Sequence, residues 1–256
     1  MRHCFILGGE QMRKPEMILF DYGHTLLYQP DHNTSNGNRA IYPYIDRNPY
    51  KISFEEFDKT MISIFAKIKA ERGILEIHEH SFLKLAMEYM GISLSVSLEE
   101  AEKIIMNGIS EGEVMPYAGE MLDFLNSKEI RTGVISNNCF SGNALKDLLE
   151  RLLPRNKLEF ILSSSDYIFN KPHSMMFEIA LKKTGLTADK VWYCGDSIRS
   201  DVYGAKSVGM FPVLYEGETE ERNPFAGQND GLNVDFEYLH IHDWREMMEL
   251  LDRLQE

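Results

Sequence analysis

Four short segments carry side chains able to act on one small molecule: Asp21-Tyr22-Gly23-His24-Thr25, Ser136-Asn137-Asn138, Lys171-Pro172 and Gly195-Asp196-Ser197-Ile198-Arg199-Ser200-Asp201. An ionised aspartate can attack as a nucleophile. Paired carboxylates can hold a hard divalent cation, a lysine can neutralise anionic oxygens, and a hydroxyl can donate to them. Taken singly, each has a plainer explanation. Aspartate commonly ends a strand in a turn, Lys171 reads alone as a solvated loop lysine, and Ser136 reads alone as a turn hydroxyl. Their order along the chain and their places on its elements give them weight.

Those elements alternate. Apolar runs at Ile18-Leu19-Phe20, Thr132-Gly133-Val134-Ile135, Phe160-Ile161-Leu162 and Val191-Trp192-Tyr193-Cys194 are apolar on both faces, as buried parallel strands are. Between and after them, apolar residues recur at three and four over about 118–128, 142–153, 174–184 and 199–208, the period of helices with one buried face. A further strand at Phe211–Tyr215 and a helix from Trp244 to about Leu254 complete the series. The pattern predicts an α/β fold, a Rossmann-like parallel sheet with helices on both faces. Asp21, Ser136 and Asp196 then stand just beyond the carboxyl ends of strands, where open α/β sheets bind ligands.

The interval from about 30 to 115 shows three helical stripes and no convincing strand: Phe54, Phe57, Met61, Ile64, Phe65 and Ile68; then Phe82, Leu83, Leu85, Ala86 and Tyr89; then Leu98, Ala101, Ile104 and Ile105. An insertion of this size reads as a helical cap. The expected organisation is a leader at 1–16, an α/β core at 17–30 and 115–256, and a smaller helical cap domain at 31–114. The loop at about 217–234, rich in Gly, Asn, Glu and Asp, reads as mobile.

Among 256 residues, 43% hydrophobic content supports a sizeable core. A net charge of −13 without a basic patch argues against nucleic-acid and anionic-membrane partners. Cys4, Cys139 and Cys194 have no metal-ligand spacing and an odd count, which fits a reducing cytoplasm. No stretch approaches a membrane span, and the patterns leave oligomeric state open.

In their order and spacing, the four segments resemble the haloacid dehalogenase-like hydrolases, whose motifs are D-x-D-x-T, a Ser or Thr after the second strand, a Lys, and G-D-x-x-x-D or G-D-x-x-x-x-D. The resemblance runs from Met17 onward, and the insertion lies where members with a helical cap after the first motif carry theirs. It implies hydrolysis of a small phosphorylated molecule with Mg²⁺ as cofactor. Asp21 is then the nucleophile and a metal ligand, and Asp196 binds the metal, with Asp201 doing so directly or through water. Lys171 and Ser136 act on the nucleophile and phosphate, and Gly23 lends a backbone carbonyl to the metal. Tyr22, Gly23 and Asn137 border the substrate.

One position departs from the pattern. In the family's phosphatases, the place of Gly23 is usually an Asp whose side chain serves as general acid and base. Glycine keeps the carbonyl and loses the carboxyl, a contribution of about 10²–10⁴-fold. Three readings follow: another acid, with His24 the nearest candidate; a substrate with a good leaving group; or a bond other than a phosphate ester. For the last, the resemblance extends to members that cleave carbon–phosphorus bonds with a cap lysine, for which Lys51, Lys59, Lys67, Lys69, Lys84 and Lys103 are available here. A binding protein on the same fold is the non-enzyme alternative.

Overall fold

The apolar runs form the strands expected of them. In the computed structural model, which describes residues 12–219 and 227–254, β1 (Met17–Phe20) lies inside a six-stranded sheet. Across the sheet the order is β10 (Leu239–Ile241), β9 (Phe211–Tyr215), β8 (Val191–Gly195), β1, β6 (Arg131–Ser136) and β7 (Leu158–Ser163), and every adjacent pair is parallel. From β1 the chain builds outward first through β6 and β7, then returns to the other side of β1 for β8. The crevice beyond β1, β6 and β8 is therefore a topological switch point.

Successive β1 side chains point to opposite faces, so each face of the sheet receives its own apolar layer. Ile18 and Phe20 pack with Val134, Trp192 and Trp244. Met17 and Leu19 pack with Ile135, Tyr193, Met176 and Phe177. The first layer joins α5 (Ala118–Ser127), α6 (Gly142–Leu152) and α10 (Trp244–Arg253); the second joins α8 (Ser174–Thr184) and α9 (Tyr203–Ser207). A short α7 (Ser164–Tyr167) follows β7. Where one helix was expected at about 199–208, a π-helical turn, Ile198–Val202, precedes α9. That turn carries Asp201, whose carboxylate lies back against the Ser197 N–H just after β8.

Between β1 and β6 the chain leaves through β2 (Leu27–Tyr28) and returns through β5 (Glu113–Val114), which pair antiparallel with Leu27 opposite Val114. The inserted segment holds α1 (Thr34–Ile41), α2 (Phe54–Glu71), α3 (Glu79–Met90) and α4 (Leu98–Ile109). Contrary to the strand-free expectation, it also holds a two-stranded ribbon of β3 (Ile45–Arg47) and β4 (Ser93–Leu94). These strands are too short to show a period of two in sequence. Leu85 and Tyr89, expected on the buried stripe of α3, are 47% and 75% exposed; Phe82, Leu83 and Ala86 fill the core instead. Helix α1 has almost no apolar periodicity and is held by its crossing with α4. A Cβ on Gly37 would stand 2.9 Å from the Ile105 carbonyl, and one on Gly108 would stand 3.0 Å from the Gly37 Cα. The helices meet backbone to backbone, and the cost of glycine in a helix, about 1 kcal/mol each, is offset by that contact.

The inserted segment is bonded to the core along 74–80 and at Glu102. Asn170 N–H donates to the Ile74 carbonyl at 2.9 Å and Glu79 N–H to the Cys139 carbonyl at 2.9 Å. The buried Glu102 carboxylate accepts from Ser141 N–H at 2.6 Å and Ser141 Oγ at 2.8 Å, and His80 Nε2 lies 3.0 Å from it. Among the described residues no helix is long and apolar enough to cross a membrane. Cys4 and residues 1–11 of the expected leader, with 220–226 of the expected loop, lie outside the described residues.

Glu79 sits inside this junction, 4% exposed. Burial, then the charge of Glu102, pushes its carboxyl from 4.5 up to about 8, against a hydrogen bond with Cys139. The folded chain thus keeps a proton that the unfolded chain releases near 4.5, so stability falls as pH rises from there to about 8 and levels off above. Glu79→Gln removes this proton. Its melting temperature should decline less steeply than the wild type's between about pH 5 and pH 8 in a scanning-fluorimetry series. Parallel curves would mean that Glu79 is ionised in the fold.

Candidate functional site

All four segments meet at the switch point. Asp21 follows β1, and its N–H still bonds to the Cys194 carbonyl of β8 at 2.8 Å. Its Oδ1 accepts from Tyr22 N–H at 2.7 Å and from Lys171 Nζ at 2.9 Å. Lys171 also donates to Asp201 Oδ1 at 2.8 Å. Asp201 Oδ2 accepts from Ser197 N–H at 3.0 Å, which closes the loop after β8. A Cβ on Gly195 would fall 2.3 Å from the Asp201 carboxyl, so the glycine before Asp196 is what allows Asp201 to lie against the strand end.

Asp21, Asp196 and Asp201 each bring a carboxylate oxygen within 4.8 Å of the others. One buried cation, Lys171, faces three acids. Burial pushes Asp21 up to about 6 in spite of Lys171, and Asp201 adds to the rise. Burial, then the charges of Asp201 and Asp21, holds Asp196 well above the usual carboxylate range. These are the shifts of a carboxylate group short of positive charge. A hard divalent cation with a preference for oxygen, such as Mg²⁺, fits this donor set in type and charge, and binding would reverse the shifts. Asp201 already spends both oxygens on Lys171 and Ser197, which suits it to a place behind a ligand water more than to direct contact.

A cavity of about 600 Å³ opens over these groups, lined by Asp21, Tyr22, Gly23, His24, Ser136, Asn137, Lys171, Asp196 and Asp201, together with Gln29, His32 and Gln228. The candidate nucleophile, metal ligands and phosphate- and substrate-bordering residues named from the four segments therefore border one space. A second cavity of about 320 Å³ lies between the inserted helices and the core. Tyr22, Gln29, His32, Asn137 and Asn138 line both. Of the six lysines named in the insertion, Lys69 lines the second cavity, whereas Lys103 pairs with Asp147 on the surface.

The structure adds detail to three of these positions. The Asn137 amide is tied to the Lys171 backbone, accepting from its N–H at 2.6 Å and donating to its carbonyl at 3.0 Å. A Cβ on Gly23 would meet nothing within 4 Å, and its φ lies outside the left-handed region. Neither the turn nor the packing requires glycine there. His24 is in the left-handed region with φ 51°, and burial holds its imidazole below the usual histidine range, favouring the neutral ring.

Known proteins resemble this chain in sequence and in fold. A family model described as haloacid dehalogenase-like hydrolase matches residues 48–214. A glyceraldehyde 3-phosphate phosphatase of Methanothermobacter thermautotrophicus is 31% identical over 46% of this chain and 52% of its own length, so this chain matches about half of that relative. A ribulose-1,5-bisphosphate 5-phosphatase of Halopiger xanaduensis is 25% identical over 79% of this chain and 85% of its own. Among solved structures, a HAD phosphatase from Thermococcus onnurineus superposes with a TM-score of 0.59 at 20% identity, covering 92% of this chain and 97% of that one. A 2-haloacid dehalogenase from Pseudomonas syringae pv. Tomato does so at 0.59 and 18%, covering 93% and 99%. At such identities, these likenesses speak for the fold.

Several residues that shape the site carry no motif. Gln228 Nε2 donates to Asp196 Oδ2 at 2.9 Å, and Trp244 Nε1 to the Thr25 carbonyl at 3.2 Å. Tyr193 is the most consequential. Its hydroxyl accepts from Lys171 Nζ at 2.7 Å and donates to the Ile135 carbonyl at 2.9 Å. An ammonium has three protons, and those of Lys171 are all taken, by Asp21, Asp201 and Tyr193. Burial opposes the charge of Lys171, but Asp201 and Asp21 outweigh it and raise its pKa. The one signal in the sequence was a phenol in a fully buried strand, which must find a partner. Tyr193→Phe leaves Lys171 and the Ile135 carbonyl each short of a partner, at a cost of ~1–3 kcal/mol. Thermal denaturation should show a loss of several degrees, and an unchanged midpoint would mean that water or rearrangement replaces the hydroxyl.

Proposed function

The chain belongs to the haloacid dehalogenase-like hydrolase family, and from that membership we propose a Mg²⁺-dependent phosphatase that acts on a small phosphorylated carbohydrate through an aspartyl-phosphate at Asp21. The observation that carries the reading is Lys171, buried between Asp21 and Asp201 with Asp196 alongside, at the floor of a cavity of about 600 Å³. The substrate class rests on relatives named for glyceraldehyde 3-phosphate and ribulose-1,5-bisphosphate.

Asp21 Oδ1 is held by Tyr22 N–H and Lys171, which leaves Oδ2 to attack phosphorus. The phosphorus–oxygen bond to the sugar breaks, and the leaving oxygen takes a proton. Water then attacks the phosphoryl group, returning the Asp21 carboxylate and releasing phosphate. Lys171 neutralises the nucleophile's surroundings, exchanging one of its three bonds if it reaches the phosphate. The Ser136 hydroxyl donates to phosphate oxygens, and Tyr22 and Asn137 border the sugar. Asp21, the Gly23 carbonyl and Asp196 would hold Mg²⁺, with Asp201 behind them. The bound ion supplies charge neutralisation at the phosphoryl oxygens. Residues 31–114 act as a cap roofing the second cavity, over a core of 17–30 and 115–256.

Without a carboxyl at position 23, proton transfer falls to water or to His24, whose neutral ring can accept a proton from water. The substrate's leaving group then matters. Against p-nitrophenyl phosphate, a good leaving group, turnover should require Mg²⁺, vanish with a chelator, and drop at least about a hundredfold in Asp21→Asn. Gly23→Asp should raise turnover by up to about 10²-fold on glyceraldehyde 3-phosphate and less on p-nitrophenyl phosphate, since the leaving group's need for a proton differs. Full activity in Asp21→Asn would sink the reading.

The place of Lys69 in the second cavity favours one further reading, cleavage of a carbon–phosphorus bond. Its amine would condense with a substrate aldehyde, releasing water. Borohydride added with an aldehyde-bearing phosphonate should then leave a reduced adduct at Lys69 in peptide mass spectra. An unmodified Lys69 would dismiss it.

A further inference from the structure

A second group of possible metal ligands stands apart from the acidic site. Strand β10 is at the margin of the sheet, with Leu239 and Ile241 buried and His240 and His242 turned outward. Alternation along the strand puts both imidazoles on one face, their ring centres 4.4 Å apart. Glu216 follows β9, and its N–H donates to the Ile241 carbonyl at 2.9 Å, which brings its side chain beside the histidines. Its Oε2 lies 2.8 Å from His240 Nε2, and its carbonyl lies 3.4 Å from His242 Nδ1. One ligand atom from each of the three falls within 4.8 Å of the others.

We propose that Glu216, His240 and His242 form a binding site for a borderline transition-metal ion of the Zn²⁺ type. Two imidazoles and one carboxylate make a donor set that such ions prefer, whereas Mg²⁺ selects oxygen alone. All three residues are exposed, which leaves the remaining coordination positions to water.

The other histidine cluster shows what a closed arrangement looks like. At His78, His80 and Glu102 both carboxylate oxygens are taken by Ser141 and His80, and His78 Nδ1 already accepts from His80 N–H. That cluster is a fastening between insertion and core. At Glu216, by contrast, Asn229 Nδ2 bonds Oε1 at 2.7 Å and leaves Oε2 toward His240. A ligating carboxylate is commonly supported in this way by an outer hydrogen bond.

Asn229 also donates to the Asp196 carbonyl at 2.9 Å and accepts from Ile198 N–H at 2.8 Å. A metal on Glu216 therefore fastens the Asn229 segment to the loop that carries Asp196, and its effect should appear in stability.

Full-length protein with saturating Mg²⁺ should be titrated with Zn²⁺ while the imidazole signals are followed by NMR and the melting temperature by calorimetry. Wild type should show the His240 and His242 signals moving together. Its melting temperature should rise by roughly 5–10 °C at a hundredfold excess over the dissociation constant. The double variant His240→Ala/His242→Ala should lose that rise and keep its p-nitrophenyl phosphate turnover without Zn²⁺. Glu216→Gln should bind at least about tenfold more weakly, and Asp196→Asn should still bind. Unmoved wild-type imidazole signals, a rise that persists in the double variant, or loss of binding in Asp196→Asn would each overturn the proposal; the last would assign the ion to the acidic site.

Discussion

The architecture at the switch point turns on one buried ammonium. Lys171 is the cation that stands between Asp21 and Asp201, and it is 3% exposed. Removing an ammonium and several carboxylates from water costs far more than one ion pair returns unless every proton and lone pair finds a partner. The surrounding fold supplies those partners. Tyr193 reaches out of the sheet for the third proton, Asn137 clamps the Lys171 peptide on both sides, and Gly195 leaves the space in which Asp201 can approach. Asp21 follows β1, Asn137 follows β6, and Tyr193 and Gly195 lie in β8, so the charge balance ties these three strands to the segment before α8.

That balance also explains why the site is suited to a divalent cation. Burial, with the neighbouring carboxylates adding to it against one lysine, leaves Asp21 and Asp196 with raised pKa values. The same preorganisation would serve a phosphoryl group in transfer, whose charge is greatest in the transition state. Gly23 is the exception in a site otherwise lined by polar and charged side chains. Open space lies where its side chain would be, so its lack of a carboxyl is a chemical property of the site with no steric cause.

The insertion forms a second cavity with the core, and it is bonded to the core at more places than its two connections through β2 and β5. Backbone bonds along 74–80 and the Glu102–Ser141 contact join it to the core next to Asn137 and Asn138. Side chains that line both cavities are therefore held from both sides. A molecule reaching from the acidic floor into the second cavity would be read by Tyr22, Gln29 and His32 along the way.

The amino-acid sequence alone determined the parallel sheet, the succession of its principal strands along the chain and the four segments that follow them. These depend on short apolar runs and on residues adjacent in the chain, which interact the same way wherever the rest of the molecule lies. It also placed the helices at 118–127, 142–152 and 174–184 within a residue or two, because amphipathic period is a local property. Tertiary structure decided the rest. Helix α1 exists through a glycine crossing with α4, and Leu85 and Tyr89 turn to solvent because the neighbouring helix covers another face. Tyr193 finds Lys171 across 22 residues and Trp244 finds Thr25 across 219. Such contacts join residues that are remote in the chain, so no spacing or period announces them; only closure of the fold brings the partners within hydrogen-bond range.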